Sequence, residues 1–114
     1  MAKSDKDEMK EMVENLLKSA SKKVKDEAFE EAAEVLEQAS EIAPKDTRVW
    51  DLFGFVKWSL GDIEGAEKCN HESLAIRPLN AYARKGLGIC LADQGKTDEA
   101  ISELHHAMAL KPLW

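Results

Sequence analysis

Long apolar runs are missing from this sequence of 114 residues. No stretch approaches the roughly eighteen consecutive apolar residues of a membrane-crossing helix. The opening MAKSDKDEMK is charged and has no apolar segment of the kind a secretory leader carries. A basic surplus is missing too. Sixteen lysines and arginines against 22 acids leave a formal charge of −6, which argues against nucleic acid or an anionic membrane as the main partner. Cysteine is limited to Cys69 and Cys90, each beside apolar neighbours in a helical stretch, where a small buried thiol is the expected state. A reducing, cytoplasmic setting fits these features.

Patterns for catalysis and for metals are also missing. The six glycines fall within helical stretches or at helix turns, not in a phosphate-cradling loop. Cys69 and His71 are two apart, hence on nearly opposite sides of a helix, and His105 and His106 are adjacent. Neither pair has the three-or-four spacing of helical metal ligands. No catalytic residue, metal or cofactor is expected, and the chain is not read as an enzyme.

What the sequence does contain is amphipathic helix. Few residues are β-branched, while Ala, Leu, Glu and Lys abound, which favours an all-α fold. Residues 1–7 are polar and read as a frayed lead-in. From about Glu8, Met9, Met12, Val13, Leu16, Leu17, Ala20 and Val24 form one apolar stripe. A second stripe holds Ala28, Phe29, Ala32, Val35, Leu36, Ala39 and Ile42, ending at Pro44. The turn between them, Lys25-Asp26-Glu27, has no glycine. Asp46 or Thr47 then opens a third helix to Leu60, and Gly61-Asp62 ends it and starts a fourth, which runs to about Ile76. A fifth spans about Asn80–Gln94, and after Gly95 a sixth runs from Thr97 or Asp98 to Leu110.

These stretches repeat. Ala81–Pro112 shifted back by 34 positions falls on Thr47–Pro78, and a fainter copy ends at Pro44, so all three prolines keep one interval. A period of this length built from helix pairs marks a solenoid, with repeats near 13–46, 47–80 and 81–114 and one domain over 8–114.

The pattern resembles the tetratricopeptide repeat, W-x2-L-G-x2-Y, then A-x3-F, then P. The middle copy supplies Trp50, Phe53, Gly54 and Lys57, then Ala66, Asn70 and Pro78; the last supplies Arg84, Leu87, Gly88 and Leu91, then Ala100, Leu104 and Pro112. The first is weak at Leu16, Ser19, Ala20 and Lys23 and sound at Ala32, Leu36 and Pro44. The resemblance implies an all-α, right-handed superhelical stack of three antiparallel helix pairs. Ala20, Gly54 and Gly88 would face Ala32, Ala66 and Ala100, allowing close approach within each pair. Lys57, Asn70 and Arg84 depart from the pattern, with Asn70 standing where a packing aromatic is usual.

In such a stack the first helix of each pair lines a concave groove. The resemblance places four rows there: Glu14, Arg48 and Tyr82; Leu17, Asp51 and Lys85; Ser21, Phe55 and Ile89; Val24, Trp58 and Ala92. The candidate peptide groove is therefore Leu17, Arg48, Asp51, Phe55, Trp58, Tyr82, Lys85 and Ile89. Phe55 and Trp58 are the informative pair, because large aromatics dominate interface energetics. Aromatics at helical spacing serve a core as readily, so both readings stand. Chaperone-binding members clamp a C-terminal carboxylate, but the matching positions here are Leu17, Ser21, Leu52, Tyr82 and Gly86, none of them basic or amide. The expected role is a protein or peptide interaction module without that clamp. A stack also needs covered ends, and Leu113 with Trp114 forms a candidate end interface for self-association or a further repeat.

Overall fold

The computed structural model describes residues 4–111. Six helices follow one another with no strand among these residues: α1 (Asp5–Lys25), α2 (Phe29–Ile42), α3 (Thr47–Ser59), α4 (Ile63–Ile76), α5 (Ala81–Asp93) and α6 (Thr97–Leu110). The first helix begins earlier than the expected Glu8. Ser4 Oγ accepts from the Asp7 N–H at 3.2 Å, and Asp5, Asp7 and Glu8 oppose the positive end of the helix dipole. Cap and charge start the helix where the apolar stripe has not yet begun, so from Asp5 onward the expected frayed lead-in is helical. Residues 1–3 lie outside the described range.

Each pair closes with the same turn. The N–H groups of Ala28, Asp62 and Lys96 reach back to the carbonyls of Lys23, Lys57 and Leu91 at 2.8, 2.9 and 2.9 Å, a six-to-one bond that satisfies orphan carbonyls at the helix end. The residue inside each bond is left-handed: Glu27 at φ 58°, Gly61 at 85° and Gly95 at 79°. The turn that lacked a glycine thus keeps the geometry with a glutamate, at a steric cost.

Small residues set the spacing within pairs. A Cβ on Gly88 would lie 3.3 Å from the Ala100 carbonyl oxygen and 2.7 Å from Leu104 Cγ; one on Gly54 would lie 3.6 Å from the Ala66 oxygen. Ala20 and Ala32 are wholly buried. The departures from the repeat pattern are accommodated chemically. Lys57 lays its amine over the Phe53 ring, 4.5 Å from the centroid. Trp50 Nε1 donates to the Pro44 carbonyl at 2.8 Å. One repeat later Arg84 donates to the Pro78 carbonyl at 3.3 Å and pairs with Glu103 at 3.2 Å. Arginine in the tryptophan's place thus keeps the hydrogen bond to the proline.

Consecutive helices pack in series, and α1 also touches α3, as α3 touches α5. No such contact joins α2 to α4 or α4 to α6 among the described residues. The odd-numbered helices therefore converge and form the inner face of an elongated stack, 55 × 27 × 23 Å. One core cluster, centred on Leu36, Val49, Phe53 and Val56, joins the first two pairs; Leu74, Leu87, Leu91 and their neighbours hold the last.

Candidate functional site: the concave groove

The inner face carries two adjoining depressions. One, of about 260 Å³, is lined by Phe55, Trp58, Tyr82, Lys85 and Ile89, with Gly54, Asn70, Gly86 and Cys90 beneath. The other is broad and open, about 670 Å³, and includes Leu17, Arg48, Asp51, Leu52 and Tyr82. All eight residues expected to face the groove border one or both, and Tyr82 joins the two.

Their surroundings differ. Phe55, Trp58 and Tyr82 remain 37%, 40% and 50% exposed, which is high for large side chains on the inside of a curve. Phe55 is supported by an edge-on contact with Phe29 and lies 6.3 Å from Trp58, centroid to centroid. Trp58 is oriented by its Nε1, which donates to Asp93 Oδ2 at 2.7 Å. One ring edge is thus tied down and the rest of the ring is left open. Ile89 is half-buried, whereas Leu17 is buried and belongs mainly to the core formed with Val13 and Ala20.

The charged members are largely engaged by the chain itself. Arg48 pairs with Glu14 and Asp46, both at 2.7 Å. Its hydrogen bonds hold both carboxyls below their ordinary range, and they raise its own already high pKa. Asp51 turns toward the interior. Its Oδ1 accepts from Ser73 Oγ at 2.6 Å, and Asn80 Nδ2 donates to both carboxylate oxygens at 3.1 Å. Asn80 also donates to Ser73 at 2.9 Å, and its Oδ1 caps α5 through the Ala83 N–H. One carboxylate thereby fixes α4 and the start of α5 to α3, and so fixes where Tyr82 stands. Partial burial, and secondarily the Asp51 charge, push the Tyr82 phenol above its ordinary pKa.

No family model matches the chain, and no curated protein matches it in sequence. Solved structures do match in shape. The Yersinia enterocolitica type III secretion chaperone SycD, in complex with a peptide of the translocator YopD, superposes with a TM-score of 0.85 at 20% identity, over 89% of this chain and 77% of that one. The first TPR of Spaghetti (RPAP3), bound to the HSP90 peptide SRMEEVD, gives 0.87 at 16% identity, over 91% and 82%. The Arabidopsis OM64 TPR domain gives 0.88 at 17%, over 91% and 86%. The chain has a tetratricopeptide-repeat fold.

Within this tetratricopeptide-repeat fold, no cluster of three or more His, Cys, Asp or Glu able to hold a metal occurs among the described residues. No described helix is long and apolar enough to cross a membrane. Both cysteines are free and buried, their thiols pushed up to about 11, chiefly by desolvation. The end pair Leu113 and Trp114 lies outside the described residues. The floor of the smaller depression lies outside the eight residues expected to line the groove. Asn70, projecting from α4, reaches the groove because Gly54 and Gly86 leave room above it. The available signal was an amide at a packing position, together with a glycine on the inner helix that follows.

Proposed function

We propose that this chain is a non-enzymatic interaction module that binds an extended or helical peptide segment of a partner protein in the concave groove. The observation that carries the reading is the floor of Phe55, Trp58, Tyr82 and Ile89. These are large apolar side chains that the fold holds in place and leaves partly open around a cavity. Such surfaces supply the few anchors that dominate peptide recognition. The SycD and RPAP3 structures, each with a peptide, support the reading by analogy of fold. A reducing, cytoplasmic setting accompanies it.

The recognition does not use a carboxylate clamp. At the five corresponding positions Leu17 is buried, Leu52 is half-buried, and Ser21, Tyr82 and Gly86 bring no cation to the groove. Binding should therefore tolerate extension or amidation of a partner's C-terminus. The groove is tested by Phe55→Ala combined with Trp58→Ala. The double variant should keep a helical circular dichroism spectrum and lose the partners that the parent chain captures from its native cell. Unchanged capture by the folded variant would remove the groove from the account.

A second reading, self-association through the last helix, has one observation in its favour. Among the described residues α6 packs on α5 alone, and Ile101 and Met108 stand open on it. Light scattering of the chain and of an Ile101→Glu, Met108→Glu variant tests this. An assembly that dissociates in the variant supports it, and a monomeric parent chain at high concentration rejects it.

A further inference from the structure

The smaller depression has a built interior that the general groove reading does not require. Asn70 is 4% exposed, and its amide sits between two glycines of different inner helices. A Cβ on Gly54 would lie 3.2 Å from Asn70 Oδ1, and one on Gly86 would lie 2.9 Å from both Oδ1 and Nδ2. The equivalent residues one repeat earlier and later are Leu36 and Leu104. Leu36 is fully buried, and Leu104 covers Gly88. Asn70 thus replaces an apolar plug by a short amide where the following helix has no side chain to fill the gap. The result is the cavity of about 260 Å³, walled by Phe55, Trp58, Tyr82, Lys85 and Ile89 and floored by an amide.

What the chain offers that amide is modest. Asn70 Nδ2 donates to Cys90 Sγ at 3.9 Å, and a thiol is a weak acceptor. A buried amide has one strong acceptor and two donors to satisfy, and such groups are normally paired. The cavity falls short of the ~300–1,000 Å³ typical of sites for whole small molecules, so it suits one side chain of a bound peptide. Aromatic walls favour a ring with offset or edge-on neighbours. The floor is a neutral amide that both donates and accepts, which suits a hydroxyl tip, while Lys85 adds an exposed cation to the lining.

Resting on the groove reading, we infer that this pocket is a tyrosine-selective subsite, in which a partner's phenol ring stacks among Phe55, Trp58 and Tyr82 and its hydroxyl bonds the Asn70 amide. The hydroxyl donates to Oδ1 or accepts from Nδ2. Phenylalanine in the same place would leave the amide uncompensated.

The test uses the whole chain and two small probes, p-cresol for the tyrosine side chain and toluene for that of phenylalanine, titrated by amide NMR. The Gly54 and Gly86 backbone amides and the Asn70 side-chain amide should shift and saturate with p-cresol. Toluene should bind about tenfold more weakly, the loss expected for one neutral hydrogen bond. Gly86→Ala, which crowds the Asn70 amide, should abolish binding of both probes. Asn70→Ala removes the amide without filling the cavity and should erase the preference for p-cresol, whereas Asn70→Leu restores the neighbouring repeats' apolar plug and should weaken both probes. Equal affinities in the parent chain, or shifts that do not saturate or fall elsewhere, overturn the subsite. If p-cresol fails while Phe55→Ala with Trp58→Ala still abolishes partner capture, the tyrosine subsite falls and the groove reading stands.

Discussion

Asp51 is where the stability of the groove can be weighed. It carries the hydrogen bonds of two almost fully buried groups, Ser73 and Asn80. Replacing it by alanine leaves the Ser73 hydroxyl without its acceptor and removes one of the two partners of Asn80 Nδ2. At about 1–3 kcal/mol for each buried donor left unpaired, the loss is about 3 kcal/mol. Asp51→Asn keeps an acceptor for Ser73 but turns an amide toward the Asn80 donor, for a smaller loss of about 1–2 kcal/mol. In a domain of this size about 3 kcal/mol lowers Tm by roughly 10–15 °C. Urea denaturation followed by helical circular dichroism measures these differences, with Glu34→Ala on the exposed side of α2 as a control expected to change stability by less than about 0.5 kcal/mol. The order should be alanine worst, asparagine intermediate, control unchanged. A loss for Asp51→Ala no larger than the control's would refute the argument that this carboxylate ties the second and third repeats together.

Further expectations follow from other residues. Glu27→Gly relieves the left-handed strain that Gly61 and Gly95 avoid in the equivalent turns, and it should raise unfolding free energy by about 1 kcal/mol in the same urea assay. Cys69 and Cys90, with thiols at about 11, should react with a disulfide reagent at neutral pH only at the rate of unfolding, and both should react at once in denaturant. Tyr82 is the sole tyrosine, so spectrophotometric titration reads it directly and should place it above the ordinary phenol value. Because its folded pKa is raised, its contribution to stability is full below the unfolded pKa and is lost as pH rises through the folded one. Asp51→Asn should move the titration part of the way back.

The architecture was legible because three independent signals coincide: the interval of the prolines, the facing small residues and the apolar stripes. The inner rows followed once the repeat was set, since position within a repeat fixes which way a helical side chain points. What was not legible depends on side chains that meet across the chain. Ser73, Asn80 and Asp51 are unremarkable polar residues until three elements bring them together. The Asn70 pocket needs a small residue on α5 as well as an amide on α4, and no local pattern couples them. Leu17 shares the spacing of the groove residues, yet the first pair closes over it. Glu27 shows the converse: the turn geometry persists where its usual residue does not, because packing outweighs a local steric cost of about 1–2 kcal/mol.

The groove itself is tested most directly by site-specific photo-crosslinking in the native cell. A photoreactive phenylalanine analogue is placed at Tyr82 on the inner face, and in a separate chain at the exposed Glu37 of α2 on the outer side. The account predicts that the inner probe captures a discrete partner through a mappable peptide, that Phe55→Ala with Trp58→Ala removes this product, and that the outer probe gives none. The same product from the outer probe, or one that survives the double substitution in a folded chain, would contradict it.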